Sequence, residues 1–407
     1  MPSGPDLAFT TNEYLDRLDK TRAAMEAAGV EVLFVADPSN MCWLTGFNAW
    51  SFYTYQGVIV THDADPLYWG RAQDTKAALR TTWLAADDIV PYPESYVQTT
   101  ERHPMQTLAR LLDDRGWADR RMGVELDNYY YSGKAHREFC RTLGQITGNP
   151  NISAATDDVV DATGLVNWQR AVKSDQEIAY MRIAGSIMEA TYRRIDEVLT
   201  PGMRKNDLVA EIQRSLIAGT PEHGGDYAAI VPLLPTGEDA SASHLTWTDA
   251  PMERGAGTFF ELAGCYRRYH APLCRSVFLG RPPPEIRNAE AALLAGLEAG
   301  IDIARAGNRA GDVAIALGDA LAARGLDRGG ARCGYPIGLS FPPDWGERTI
   351  SFRPEDDTIL EPGMTFHFMP GLWMDSWGLE ITESIVIAEE GPARCLMDVP
   401  RQVRVLP

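Results

Sequence analysis

The chain has 407 residues, of which 45% are hydrophobic, and its formal net charge at pH 7 is −18. Such a charge disfavours binding to nucleic acid or to anionic membranes, because both are themselves negative. No run of about 18 apolar residues occurs, so no transmembrane helix is expected. The N-terminus also lacks the basic start and apolar stretch of a signal peptide. Composition therefore predicts a soluble protein of two or three domains.

The first part of the chain alternates between helical and strand patterns. Residues 11–30 predict an amphipathic helix that ends at Gly29 and has a threonine cap ahead of it. Residues 31–40 predict a buried strand that ends in a turn, and residues 57–70 predict a pair of strands. This alternation indicates an α/β domain over residues 1–165.

A linker and one long helix open the second part, residues 166–407, which contains an internal repeat. The segment TPGMRKNDLVAEI returns later as RAGNRAGDVAIAL. In each copy a glycine ends one helix and an aspartate lies in the first turn of the next, where the helix dipole favours it. The matched positions are Gly202 with Gly307, Arg204 with Arg309, and Asp207 with Asp312. Two related αβ halves around one sheet are predicted; chance similarity of two helix joints is the alternative.

The cysteines are scattered along both parts and form no Cys-x-x-Cys motif. They are Cys42, Cys140, Cys265, Cys274, Cys333 and Cys395. Reduced thiols in the cytoplasm are the simplest account of such spacing.

Four segments of the second part carry a family resemblance. They are GTFFELAGCYRRYHAPLCRSVFLG, GYPIGLSFPPDWGERT, EPGMTFHFMPG and WGLEITESIVI. Their order resembles the pita-bread fold of methionine aminopeptidase, aminopeptidase P, prolidase and creatinase. The resemblance implies an α/β N-terminal domain followed by an α+β pita-bread domain with an internal pseudo-repeat.

The metal positions of that family are mostly replaced in this chain. The five positions that hold two metal ions in the metal-dependent members correspond here to Glu261, Pro272, Tyr335, Met369 and Glu383. Proline, tyrosine and methionine cannot replace the oxygen and imidazole ligands of a dinuclear site. The resemblance therefore implies the metal-free branch, in which creatinase hydrolyses a C–N bond, and no cofactor is expected.

The candidate catalytic residues are Glu261, Glu383 and His244. The two glutamates lie in apolar runs, so each is expected on a buried strand, where a cationic substrate would compensate its charge. A structural ion pair, with Arg275 as a partner, is the alternative. His244 has the spacing of the proton-shuttling histidine of creatinase, and imidazole takes and returns protons near neutrality.

The other histidines of this part leave a second interpretation open. His223 lies in a loop, and His270 and His367 lie near the replaced metal positions. A mononuclear metal site built from them and Glu261 is the alternative, although the spacing matches no zinc motif.

The expected substrate-binding residues are aromatic, with one arginine. Aromatic faces stabilise delocalised cations by roughly 0.5–2 kcal/mol each, and Arg348 is expected to bind a carboxylate as a bidentate pair. The aromatic candidates are Trp50, Phe52, Tyr335 and Trp377. In creatinase the segment equivalent to that around Phe52 reaches into the site of the partner subunit, which implies a homodimer. The arginine of that segment is Thr54 here, so creatine itself is not expected as the substrate.

Longer phrases extend the resemblance over nearly the whole chain. PSNMCWLTGF, DATGLVNWQRAVKS, AIVPLLPTG and TFHFMPGLWMDSWGLEITES resemble the bacterial ectoine hydrolases. The resemblance implies opening of the cyclic amidine ring of ectoine to N-acetyl-L-2,4-diaminobutyrate, with hydroxyectoine as a further candidate substrate and a deacetylase acting downstream. Glu261 would attack the amidine carbon, or His244 would activate water. The rival functions are hydrolysis of another cationic substrate, metal-dependent peptidase activity, and a non-catalytic binding module.

Overall fold

The computed structural model describes residues 5–149, 152 and 159–406. The chain divides into two compact units, Met1–Gln169 and Arg170–Pro407. Within the described ranges, no helix is both long and apolar enough to cross a membrane.

The first unit contains a six-stranded mixed sheet in the order β4-β3-β2-β1-β5-β6. Its strands are β1 (Val32–Val35), β2 (Gly57–Thr61), β3 (Leu67–Arg71), β4 (Ile89–Tyr92), β5 (Met122–Val124) and β6 (Val159–Asp161). Its helices are α1 (Thr11–Ala28), α2 (Pro38–Thr45), α3 (Thr75–Thr81), α4 (Pro104–Asp114), α5 (Gly133–Thr147) and α6 (Leu165–Gln169). The central strand β1 is parallel to β5 and antiparallel to β2.

Local sequence explains the boundaries of the first elements. The side chain of Thr10 caps α1, and Gly29 ends it with a left-handed φ of 64°. After β1, the chain forms helix α2 instead of the predicted simple turn. Asp37 caps this helix and Pro38 occupies its first turn, where the missing N–H of proline costs nothing.

The second unit consists of two helix pairs and nine described strands. Its helices are α7 (Asp175–Val198), α8 (Lys205–Ala218), α9 (Pro284–Ile303) and α10 (Ala310–Ala322). Its strands are β7 (Gly257–Tyr266), β8 (Tyr269–Leu279), β9 (Gly334–Pro336), β10 (Thr365–Phe368), β11 (Gly371–Trp373), β12 (Gly378–Glu380), β13 (Glu383–Val386), β14 (Arg394–Cys395) and β15 (Arg404–Leu406). They form the ladders β14-β13-β10-β9, β15-β8-β7 and β11-β12.

The predicted repeat is present in the second unit. Arg204 precedes α8 and Arg309 precedes α10, and each arginine forms an ion pair with the aspartate three residues later. Gly202 and Gly307 have left-handed φ values of 86° and 90°. They lie in the turns between the paired helices and not at the helix caps. The two helix pairs are thus related halves, and the predicted pseudo-repeat is confirmed.

Each helix pair covers its own strands through a separate core. Helices α7 and α8 pack with Phe260, Leu262 and Leu273 of the β7–β8 hairpin. Helices α9 and α10 pack with a second set of strands that includes Phe366 and Ile385. Side chains alternate along a strand, so the residues between these core positions point to the opposite face of the sheet.

Hydrogen bonds join the two halves at a seam between β8 and the segment from Glu380 to Ser384. The Ser276 hydroxyl donates to the carbonyl of Glu380 at 2.9 Å. The backbone N–H of Cys274 donates to the hydroxyl of Thr382 at 2.7 Å, and the Ser384 hydroxyl donates to the carbonyl of Pro272 at 2.6 Å. These bonds hold side chains from both halves next to one another.

Candidate active site

Polar side chains collect at this seam, on the sheet face opposite the helix cores. Glu261 of β7 lies directly across from Cys274 of β8, and Tyr335 of β9 lies directly across from His367 of β10. Residues opposite each other in a ladder point to the same face. Each half of the repeat therefore contributes one pair to a common site.

A pair of buried carboxyls forms the centre of the site. Glu261 is 7% exposed and Glu380 is 1% exposed. Burial, with the charge of Glu380 nearby, raises the pKa of Glu261 well above its usual value. Burial raises the pKa of Glu380 to about 7, although the thiol of Cys274 and the more distant charge of Arg328 oppose the rise. Two carboxyls in such surroundings resist being ionised together.

The protein compensates these two carboxyls incompletely. Within residues 5–149, 152 and 159–406, no group donates a hydrogen bond to the Glu261 carboxyl, and Oε1 of Glu380 has no hydrogen-bond partner. Arg328 forms no ion pair with Glu380; its guanidinium donates to the carbonyls of Met369 and Arg332. An unpaired buried acceptor is costly, so the site is suited to a ligand that supplies positive charge and hydrogen-bond donors.

Trp373 covers the same site. It lies on β11, and its ring lies over Gly371, within 2.6 Å of where a β-carbon would stand. Gly371 is the ladder partner of Glu380. The indole packs against the small cluster of Ala240, Phe259 and Cys274, and its Nε1–H has no acceptor among the described residues. The site thus offers an aromatic wall and an unused donor beside the carboxyl pair.

A hydrogen-bonded chain crosses the site from Trp345 to Thr382. Trp345 Nε1 lies 2.7 Å from the hydroxyl of Tyr335, which lies 3.1 Å from Nδ1 of His367. Nε2 of His367 lies 2.8 Å from Oγ1 of Thr382. Burial lowers the pKa of His367 to about 3, so its ring is neutral at physiological pH.

Glu383 faces away from this site, which corrects the prediction that it accompanies Glu261. It lies across from Phe368, whose neighbour His367 points to the opposite face. Its Oε1 accepts hydrogen bonds from Arg275 at 2.7 Å and from Arg401 at 2.8 Å. The ion pair with Arg275, which the sequence offered as the alternative, is therefore present.

The pattern of apolar residues in the sequence already favoured Glu380 over Glu383. Leu379, Ile381, Ile385 and Ile387 recur with a period of two and lie in the second core. Glu383 falls in register with these core residues, whereas Glu380 falls between them. The resemblance of motifs selected Glu383; strand alternation alone would have selected Glu380.

Trp377 also faces away from the carboxyl pair, contrary to the prediction that it binds substrate there. It lies one position before Gly378 on the side of Leu379 and packs against the second core. It lines a separate cavity of about 360 Å³ with residues that include Glu238, Glu253 and Arg254.

His244 and Arg348 lie in loops, and both are exposed at the surface of the second unit. His244 follows the short 3₁₀ turn Gly237–Ser241, which packs against β7 and β12. Arg348 has a left-handed φ of 56° and forms an ion pair with Asp344 at 3.3 Å. Among the contacts of the described residues, neither side chain touches the carboxyl of Glu261 or of Glu380.

Trp50 and Phe52 belong to the first unit, in the loop before β2. Phe52 is 68% exposed, has a φ of 56°, and lies 5.1 Å from Trp50 between ring centroids. The indole N–H of Trp50 is buried and lacks an acceptor among the described residues. An exposed aromatic residue in a strained backbone conformation is typical of a contact surface.

The residues at the family's metal positions do not fit a metal pair. The carbonyl of Pro272 accepts from Ser384, the phenol of Tyr335 is engaged by Trp345 and His367, and Glu383 faces Arg275. Hard divalent ions require several oxygen or imidazole ligands that converge on one point. In the described part of the chain, no group of three or more His, Cys, Asp or Glu side chains could hold a metal ion.

The remaining histidines also do not converge. Nε2 of His270 accepts from the backbone of Ala229, and its Nδ1 lies 2.9 Å from the carbonyl of Arg268. Burial lowers the pKa of His270 to about 3. The ring of His223 packs against Tyr266. Both histidines are explained by structural contacts.

Comparison with known protein families gives two matches. Residues 17–172 match the creatinase/prolidase N-terminal domain, and residues 179–389 match metallopeptidase family M24. The dipeptidase PepE from Mycobacterium ulcerans superposes with a TM-score of 0.78 at 22% identity, over 98% of this chain and 99% of that chain. The predicted α/β domain followed by a pita-bread domain is confirmed.

Two curated relatives are more similar in sequence. The ectoine hydrolase of Halomonas elongata is 55% identical over 98% of this chain and 98% of its own length. An uncharacterized hydrolase/peptidase of Sinorhizobium fredii is 39% identical over 95% of each chain. The resemblance read from the sequence motifs is therefore confirmed.

Proposed function

The chain belongs to metallopeptidase family M24, in the branch that includes the ectoine hydrolase of Halomonas elongata, and we propose that it hydrolyses the cyclic amidine of ectoine. The observation that carries this proposal is the buried pair Glu261 and Glu380, which the described protein groups leave short of positive charge and of donors. An amidinium supplies both, since it carries one delocalised charge and two N–H donors.

The surroundings of the pair suit such a cation. The face of an aromatic ring attracts a delocalised cation by about 0.5–2 kcal/mol, and Trp373 lies beside Glu380. One carboxyl would accept from each ring nitrogen. This arrangement explains why a glutamate pair is kept in a buried site where it costs stability.

The proposed reaction is addition to the amidine carbon followed by ring opening. A carboxylate oxygen of Glu261 attacks that carbon and forms a C–O bond. One C–N bond then breaks, its electron pair stays on the nitrogen, and that nitrogen takes up a proton as the amine. Water then cleaves the ester-like adduct, which frees Glu261 and gives N-acetyl-L-2,4-diaminobutyrate. In the alternative route, water activated by a general base adds directly.

Proton transfer is assigned to His244 in this proposal. Its loop continues from the turn that packs on β7 and β12, the strands that carry Glu261 and Glu380. A general acid or base typically contributes about 10²–10⁴-fold, so His244→Ala should reduce turnover by that factor and leave residual activity.

Two arginines are candidates for the carboxylate of the substrate. Arg348 is proposed from its position in the WGERT motif. Arg332 is the second candidate, because this exposed residue has its guanidinium 4.9 Å from the ring centroid of Tyr335, a residue of the site. Each should be changed to alanine separately. Replacement of the arginine that binds the carboxylate should raise KM for ectoine, and replacement of the other should leave KM unchanged.

The reaction is proposed to need no metal ion, since three of the family's five ligand positions hold proline, tyrosine and methionine. The experiment is to incubate purified, chelator-treated protein with ectoine and to follow the ring protons by NMR. Ring opening with undiminished rate is expected. Loss of activity that a divalent ion restores would contradict the metal-free mechanism.

The active protein is proposed to be a homodimer in the cytoplasm. Hydroxyectoine is proposed as a further substrate, and a deacetylase is proposed to act on the product. The exposed ring of Phe52 and the unsatisfied indole of Trp50 support a contact with a second copy. The six described cysteines are all free thiols. A monomer with full activity at all concentrations would contradict the shared site.

The closest rival is hydrolysis of another cationic substrate, because the carboxyl pair would also accept a guanidinium. Turnover of ectoine, hydroxyectoine and creatine should be compared at equal concentration. Turnover of creatine in preference to ectoine would favour the rival.

A further inference from the structure

The hydroxyl of Tyr335 occupies an unusual position in the hydrogen-bonded chain of the site. The indole N–H of Trp345 can only donate, so the Tyr335 oxygen accepts from it at 2.7 Å. The same oxygen lies 3.1 Å from Nδ1 of His367. Which of these two atoms carries the shared proton decides where the phenol proton points.

Thr382, at the other end of these hydrogen bonds, determines which atom carries that proton. Oγ1 of Thr382 accepts from the backbone N–H of Cys274 at 2.7 Å. In the part of the chain that the structure describes, the only acceptor for the Thr382 hydroxyl proton is Nε2 of His367, at 2.8 Å. If Thr382 donates to Nε2, the neutral ring carries its proton on Nδ1 and donates it to Tyr335.

The opposite arrangement leaves a buried proton unused. If Tyr335 donated to Nδ1, then Nε2–H of His367 would donate to Thr382. The Thr382 oxygen would then accept twice while its own proton had no acceptor among the described groups. Thr382 is fully buried, and an unpaired buried donor costs free energy. Geometry therefore favours the Nδ1–H form.

We infer that Tyr335 is a preset hydrogen-bond donor, oriented by Thr382 and His367, that points its phenol O–H at the oxygen that water brings to the amidine carbon. With two N–H groups donating to its oxygen, the phenol has its own proton left for the site. That oxygen bonds to the amidine carbon when water adds, either to the ring or to the Glu261 adduct, and it remains in the product as the acetyl carbonyl oxygen. The phenol would stabilise the partial negative charge that this oxygen carries in the tetrahedral intermediate. This inference rests on the proposed ring opening.

The surroundings of Tyr335 suit a donor and not a base. The ring is partly exposed at the site, unlike the fully buried Trp345 behind it. Burial and the charge of Glu261 raise the pKa of Tyr335 well above its usual value, so the phenol keeps its proton. Such preorganised donors typically contribute about 10²–10³-fold to kcat.

The first test needs no substrate. Nitrogen-15 NMR of histidine-labelled protein distinguishes a protonated from an unprotonated ring nitrogen, and the signals that vanish in His367→Gln assign this residue. A proton on Nδ1 of His367 is expected in the wild type. A proton on Nε2 would overturn the inference, whether or not the protein opens ectoine.

The second test is kinetic. Tyr335→Phe should lower kcat by about 10²–10³-fold and change KM less than threefold. Thr382→Val should lower kcat by about tenfold, since it removes the hydroxyl that sets the tautomer of His367. Thr382→Ser keeps a hydroxyl at this position and should therefore keep kcat near the wild-type value. Tyr192→Phe is the matched control, because it removes a buried tyrosine hydroxyl that donates to the carbonyl of Phe260 on the helix side of the sheet.

The kinetic outcomes separate this inference from the proposed function. If the wild type opens ectoine and Tyr335→Phe keeps kcat within threefold, the donor role is wrong. A change confined to KM would also overturn it, because that result describes ordinary binding. If the wild type opens no ring, the proposed function fails, and the NMR result alone decides the orientation of Tyr335.

Discussion

Glu380 and Glu383 are close in the chain and equally buried, yet their surroundings are opposite. Glu383 accepts hydrogen bonds from Arg275 and Arg401 on the core side of the sheet. Glu380 faces Glu261 on the other side, and no cation among the described residues forms an ion pair with it, whereas Glu383 has two; each of the two glutamates leaves one oxygen without a hydrogen-bond partner. Burial alone therefore does not mark a functional carboxyl; the absence of a compensating group does.

The difference also separates stability from activity. A buried ion pair whose partner is removed leaves a charge that the protein cannot solvate, so it is costly to break. A pair of like-charged carboxyls already has that cost, and removing one of them relieves it. The comparison therefore predicts that a change at Glu383 lowers the stability of the folded protein and that a change at Glu380 raises it.

The largest expected effect is that of Glu261→Gln. If Glu261 is the nucleophile, the variant should lose ring opening altogether while it still binds ectoine weakly, since glutamine keeps the shape and lacks the attacking charge. An acid quench of the wild type during turnover should show substrate mass attached to the peptide that contains Glu261. Turnover by the variant within about tenfold of the wild type would exclude the covalent route.

Glu383→Gln should have a large effect on stability. Loss of the carboxylate leaves Arg275 buried without its ion-pair partner, and we expect a loss of about 3–5 kcal/mol in the free energy of unfolding, measured by urea denaturation at pH 7. Glu197→Gln is the control. Its ion pair with Arg194 is 64% exposed on the glutamate side, so a change below about 0.5 kcal/mol is expected. Equal losses in the two variants would contradict the assignment.

Glu380→Gln should change stability by less, and in the opposite direction. A carboxyl whose pKa is raised in the folded state binds more protons there than in the unfolded chain. The stability that this extra proton binding gives the folded state is fully present at low pH, and it is lost as pH rises from about 4.5 through about 7. The variant should therefore be more stable than the wild type at pH 8, by about 1–3 kcal/mol, and nearly equal at pH 5. A difference that does not change with pH would contradict the raised pKa of Glu380.

The sequence predicted the fold better than the site. The Thr10 cap, the end of α1 at Gly29 and the paired arginine–aspartate joints depend on neighbouring residues, so local pattern was sufficient. Glu261 was found because the family motif has a metal-ligand position there, and the apolar run around it indicated a buried strand. Glu380 was missed because a motif match placed weight on Glu383, although the period-two run of the core residues favours Glu380.

Other features of the site could not be read from the chain. Trp345, Tyr335, His367 and Thr382 come from different strands and loops, and their hydrogen bonds depend on the register of β9 and β10 and on the seam with β8. Register over such distances is a tertiary property, which local patterns do not contain. Trp373 was not among the predicted substrate-binding residues; its position over Gly371 shows its relation to Glu380.

The most direct measurement is the rate of ectoine ring opening by Glu380→Gln and Glu383→Gln, followed side by side with the wild type by proton NMR and normalised to folded protein. Glu380→Gln should lose at least about 100-fold in kcat while it remains folded, because the amidinium loses one of its two carboxylates. Glu383→Gln, although less stable, should keep kcat within about tenfold at a temperature where it is folded. Full turnover by Glu380→Gln together with an inactive but folded Glu383→Gln would contradict the account.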